Sequence, residues 1–220
     1  MAGLLLTGFA GIVSATSKPH AIVFGKWTTI KLLTGREEDE PLELKVRSLY
    51  VDGKLREFTF GIPHEVTDRL FVVRRVIRVN DALPEEAVTN AHWTWQRNGW
   101  LMVDRANGHI SPVNLPEFDP DFSSATWYRD YIAYCGISDD TEKLFAVVMQ
   151  LGHRKPILRK VIEEASSEDR RAPECASPIW QRRPPRVTFV SQADQRFTFA
   201  VRGHAVETVS DDEAGEAGTE

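Results

Sequence analysis

Three of the six histidines follow a glycine, at Gly108-His109, Gly152-His153 and Gly203-His204. Neutral imidazoles of this kind bind transition metals when turns bring them together. The same dipeptide also reads more simply, with Gly supplying a positive φ at a turn and His a half-exposed strand position. No histidine pair has the close sequence spacing of a metal motif, so the sequence assigns no metal set and no cofactor. The acids come next. Glu117, Asp119 and Asp121 share a proline-containing loop, and Asp139-Asp140 stands in a turn. Calcium takes six to eight oxygens, and this loop lacks the glycines and the full ligand set of a calcium motif. Solvated loop acids are the plain reading; paired carboxylates of a hydrolase are the alternative, since their separation is spatial. Gly-x-Ser-x-Gly, a Walker loop, His-Glu-x-x-His and a dinucleotide fingerprint are all absent from the chain, so the catalytic residues are unknown.

Aromatic and basic groups are the remaining candidates. Trp93, Trp95 and Trp100 alternate with polar residues around Asn98-Gly99. Asn-Gly favours a two-residue type I′ turn. It predicts a hairpin of His92–Arg97 and Trp100–Arg105, with Arg97 opposite Trp100 and Trp93, Trp95, Trp100 and Met102 on one face. Exposed, that face suits a sugar or peptide; buried, it is core. Trp100–Val103 is apolar on both faces, which predicts a sheet covered on both sides. Arg182, Arg183 and Arg186 lie beside Trp180, a cluster able to meet an anionic partner or simply to sit in water.

The elements that must position these groups are strands. Leu42, Leu44 and Val46 alternate with charged residues, Asp52-Gly53 marks a hairpin, and Leu70–Val79 is a long apolar run. About ten to twelve strands and no long helix are expected, an all-β chain of antiparallel sheets. One repeat is visible. Trp100–Val103, Gly108-His109 and Pro112 recur 44 positions later as Leu144–Val147, Gly152-His153 and Pro156. Gly203-His204 follows a third apolar strand at a looser spacing. Tyr131–Val148, with Ser138-Asp139-Asp140 at its turn, resembles the inner hairpin of a TolB-type or WD-repeat-like propeller blade. Asp140 stands where those blades usually carry Gly, and no Trp-Asp dipeptide is present. The resemblance covers residues 92–160 and implies propeller-like repeats, about four in a chain of this length. A β-sandwich or barrel is the alternative that the strand pattern leaves open.

With 42% hydrophobic and 27% charged residues the chain is ordinary globular protein, and its net charge of −5 argues against nucleic acid as the partner. Residues 1–17 carry no charged side chain and hold the apolar run Leu4–Val13, which reads as a signal peptide too short to span a bilayer. Residues 18–209 are then expected to form one all-β domain, and 210–220, with five acids and no basic residue, a disordered tail. Export to an oxidising compartment, secreted or periplasmic, allows Cys135 and Cys175 to pair; two unpaired thiols are the alternative. The expected function is an exported, non-catalytic β-domain that binds a protein or small ligand, or serves a structural role in the envelope. The loops 114–124 and 166–185 and the Gly-His turns are where a site is sought.

Overall fold

Period-2 patterns and Gly-containing turns divide the chain into strands, and the computed structural model describes residues 19–32, 42–82, 91–138, 143–164, 175–191 and 194–209. Fifteen strands and no helix are found among them, more than the expected ten to twelve because short edge strands lack a long apolar run. The first sheet holds β1 (Ile22–Phe24), β2 (Thr28–Leu32), β3 (Leu42–Val51), β4 (Lys54–Glu65), β5 (Leu70–Asn80), β6 (Trp93–Asp104) and β7 (Ile110–Val113). The second is a meander of β8 (Ala125–Tyr128), β9 (Tyr131–Ile137), β10 (Lys143–Gln150) and β11 (Leu158–Glu164). The third is a meander of β12 (Ile179–Arg182), β13 (Pro185–Val190), β14 (Arg196–Arg202) and β15 (Ala205–Thr208). Every pairing is antiparallel, and each sheet is open at its edges.

The second sheet is the middle layer. Alternation sends Ala133, Cys135, Leu144, Ala146 and Val148 to one face, where they meet Val187, Phe189, Phe199 and Val201 of the third sheet. It sends Ile132, Tyr134, Phe145, Val147 and Met149 to the other, against Val72 and Trp100 of the first. This is why β10 is apolar at six consecutive buried positions: it is covered on both sides. Cys135 in β9 is bonded to Cys175 just before β12, with Cα atoms 6.2 Å apart, a covalent tie between the second and third sheets.

Asp52 and Gly53 both take positive φ, 52° and 74°, and close the expected β3–β4 hairpin. Asn98-Gly99 does not turn. β6 runs straight through it, with Val76 opposite Arg97 and Arg74 opposite Trp100, so Asn98 and Gly99 together face Arg75 as a bulge. The eleven-residue β5 offers a partner along the whole of β6, and that long ladder outweighs the local turn preference. The bulge still returns Trp100 to the face of Trp93 and Trp95, because it takes up one extra residue.

The repeat corresponds to a strand–turn–strand unit used once per sheet. Gly108, Gly152 and Gly203 take φ of 66°, 84° and 57° in the β6–β7, β10–β11 and β14–β15 connections. Pro112 lies in the edge strand β7, where a missing N–H is tolerated. Within the second sheet β9 and β10 are the two inner strands. Residues 1–17, Asp139, Asp140, the 166–174 part of the second loop and 210–220 lie outside the described residues.

Candidate functional site

The registers place the β8–β9, β10–β11, β12–β13 and β14–β15 turns at one end of the stack. There the edge strands β8 and β12 face each other. Thr126 Oγ donates to the Pro178 carbonyl at 2.8 Å, Trp180 Nε1 to the Thr126 carbonyl at 3.2 Å and Tyr128 OH to the Arg182 carbonyl at 3.3 Å. Side chains thus occupy backbone acceptors along this seam.

Beside the seam opens a cleft of about 770 Å³, walled by all three sheets: His64–Val66 at the end of β4, Trp127–Arg129 from β8 and its turn, and Trp180 with Arg182–Pro185 from β12, its turn and the start of β13. Local structure aims each wall. In β4, Gly61 with φ of 72° opens a bulge between Phe60 and His64, which turns His64 toward Trp127. The two rings stack at 5.7 Å and 20°, and His64 Nε2 donates to the Arg129 carbonyl at 2.7 Å. That bond steadies Arg129, which is left-handed at φ 54° in the two-residue β8–β9 turn. Tyr128 and Trp180 lean together at 5.5 Å, and Trp100 meets Trp127 edge-on at 5.4 Å from behind.

The cleft's charge is one-sided. Arg129, Arg182 and Arg183 have no ion-pair partner among the described residues. The single lining acid, Glu65, is held by both Arg105 guanidinium nitrogens at 2.8 Å, which lowers its pKa from the usual carboxylate value. Flat rings beside unpaired guanidinium groups suit a ligand with apolar faces and carboxylate or sulfate groups.

The residues singled out by sequence scatter. Trp100 is 8% exposed and belongs to the core between the first two sheets. Trp95 is half-buried against Phe58, while Trp93 is 52% exposed under Arg78. These three rings share a sheet face but no open cleft. Asp119 organises its own loop: its Oδ1 accepts from the backbone N–H of Asp121 and Phe122, and its own N–H donates to Ser123 Oγ. That loop is a cover for the core, with Leu115 and Phe118 packed down and Glu117 paired with Arg159. Arg74 pins it to the first sheet by donating to the Pro120 carbonyl at 3.0 Å from among Phe60, Trp100 and Phe118. Burial lowers the Arg74 pKa to about 10, which leaves it charged at neutral pH.

His109 stays apart on the first sheet, where Gly108 packs against His20 and Val51. His153 and His204 meet, with ring centres 4.9 Å apart. No group of three or more His, Cys, Asp or Glu among the described residues is placed to hold a metal ion. Two smaller hollows lie elsewhere among the described residues. One of about 200 Å³ behind Trp127 is lined by Met102, Leu115, Met149 and His153; the other, about 600 Å³ and mostly apolar, lies over Trp27, Leu44, Phe60 and Ile62. Of the cleft residues, Trp180, Arg182 and Arg183 stand out in the sequence as a basic cluster beside a ring, His64 counts only as one of six scattered histidines, and Trp127, Tyr128 and Arg129 carry a signal only as a short aromatic-basic run.

Fold and cleft together define an antiparallel all-β protein of three stacked sheets with an aromatic-arginine cleft at one rim. No family model, no curated protein and no solved structure matches the chain. No helix of the described residues is long and apolar enough to cross a membrane, which says nothing of strands.

Proposed function

We propose that this chain is an exported, non-catalytic binding domain whose rim cleft takes an acidic saccharide. The observation that carries the reading is the convergence of Trp127, Tyr128 and Trp180 with Arg129, Arg182 and Arg183 on one cleft. Sugar rings offer C–H faces to aromatic rings, and uronate or sulfate groups offer paired anionic oxygens that arginine can engage in bidentate fashion. A peptide that adds itself as a strand needs free backbone groups at a sheet edge. Three carbonyls along the β8–β12 seam, of Pro178, Thr126 and Arg182, already accept from the Thr126, Trp180 and Tyr128 side chains, so faces and charge do the recognising.

The hydrolase alternative needs two carboxylates within reach of one bond. Glu65 is the one acid lining the cleft, and Arg105 engages it. The apolar start of the chain and the Cys135–Cys175 bond are compatible with export to an oxidising compartment. The two four-stranded meanders and the once-per-sheet Gly-His unit support blade-like repeats as the relation between sheets.

Isothermal titration of the full chain with oligogalacturonate, against neutral oligogalactose, tests the reading. Wild type is expected to bind the acidic chain alone. Trp180→Ala and Arg182→Ser should each weaken it about tenfold, about 1.4 kcal/mol. Equal binding of the neutral chain, no binding at all, or unaffected variants would overturn it. Edman sequencing of the protein exported by its native host should start after residue 17; a chain starting at Met1 would remove the export claim.

A further inference from the structure

Two Gly-His turns meet at the same rim, on the seam between the second and third sheets. The rings of His153 and His204 lie 4.9 Å apart between centres and are inclined by 51°. They are neither stacked flat nor hydrogen-bonded, and no ring nitrogen of either has a hydrogen-bond or ion-pair partner among the described residues. Two exposed imidazoles this close can offer their ring nitrogens to one shared atom.

The spacing fits a metal ion. Zinc–imidazole bonds are about 2.0–2.1 Å, so two imidazoles on one tetrahedral ion hold their ring centres about 5 Å apart. The turns are also fixed beforehand. Gly152 and Gly203 take left-handed φ of 84° and 57°, which places each histidine immediately after a conformation only glycine adopts freely. His153 N donates to the Gln150 carbonyl at 3.1 Å, Leu151 N to the Asp130 carbonyl at 2.7 Å, and Tyr131 OH to the Gly203 carbonyl at 3.0 Å. The last of these ties the His204 turn to the second sheet that carries His153.

We propose that His153 and His204 form a two-imidazole site for a borderline divalent transition ion, of the zinc, nickel or copper(II) class. Imidazole nitrogen selects these ions over calcium and magnesium, which take oxygen ligands. Two protein ligands leave the other positions to water or to an oxygen of a bound molecule, so the site is open. The ion would staple the β10–β11 and β14–β15 turns across the sheet seam. The inference does not rest on the saccharide reading, because neither histidine lines that cleft.

Titration of the full chain, with any affinity tag removed, against zinc chloride tests it. Saturation at one equivalent is expected. His153→Asn and His204→Asn should each weaken binding by at least about tenfold, since even outer-shell changes cost that much. His109→Asn, the third Gly-His histidine, should bind as wild type does. Absent saturation, or binding unchanged in both single variants, would overturn the site. A second measurement needs no variant: substoichiometric copper(II) should broaden the proton resonances of the His153 and His204 rings before those of His20, His64, His92 and His109. Uniform broadening would also overturn it.

Discussion

Asp104 concentrates several jobs in one carboxylate at the end of β6. It accepts a side-on pair of bonds from Arg69, and its Oδ1 also accepts from the Ala106 N–H at 2.8 Å. Arg69 above all holds its pKa down to about 2, below the ordinary 3.8. A carboxylate with a folded pKa below its unfolded one binds fewer protons when folded. Its contribution to stability is therefore complete above about pH 4 and is lost as pH falls toward 2. Acid titration followed by circular dichroism should show this: Asp104→Asn, which keeps the backbone acceptor, should lower stability at pH 6 and flatten the loss between pH 4 and 2. A variant curve parallel to wild type would contradict it. Asp119, by contrast, reads from sequence as a candidate site acid, yet three local bonds make it a loop organiser. Its chemistry was legible and its employment was not, because an Asx turn and a catalytic loop present the same residues.

At the scale of elements, two glycines in strand patterns behave differently from what local preference dictates. Asn98-Gly99 has the strongest hairpin composition in the chain, but β5 supplies a ladder that continues past it. Turn propensity is local and pairing is not, so the sequence could not rank them. The neighbouring inference that Trp93, Trp95 and Trp100 share a face survives, since a one-residue bulge preserves the alternation. Gly136 in β9 has a negative φ yet no room. A Cβ there would lie 3.0 Å from Glu117 Cβ and 3.3 Å from its carbonyl oxygen, the acceptor of the Ile137 N–H. Gly136→Ala should therefore push away the 114–124 cover and cost about 1–3 kcal/mol of stability by chemical denaturation. Gly99→Ala, with open space around it, should cost less than Gly136→Ala; the reverse order would contradict the assignment of Gly136 as a contact glycine.

The described residues form a stack in which the second sheet is buried on both faces, as its continuous apolar runs in β9 and β10 require; the covering expected of Trp100–Val103 holds for that part of β6, with Trp100 packed against the second sheet and Leu101 and Val103 in a separate core on the other face. The strand class and antiparallel order were legible in the alternation of Leu42, Leu44 and Val46 with charged residues and in turns such as Asp52-Gly53. The order of stacking was not, because an apolar face does not name the sheet that covers it. The cleft was less legible still. Its walls are His64, Trp127–Arg129, Trp180 and Arg182–Pro185, drawn from three sheets, and only the stack brings them to one rim. The tryptophans most conspicuous in the sequence went instead to the core or to a separate surface. The proposed recognition site is the cleft and not that Trp93–Trp95 surface. Nitrogen–proton correlation spectra of the labelled chain, titrated with oligogalacturonate, resolve the indole N–H of each of the six tryptophans. Shifts at Trp127 and Trp180, with Trp93 and Trp95 unmoved, are the predicted result. Shifts confined to Trp93 and Trp95, or no shift at saturating ligand, would contradict it.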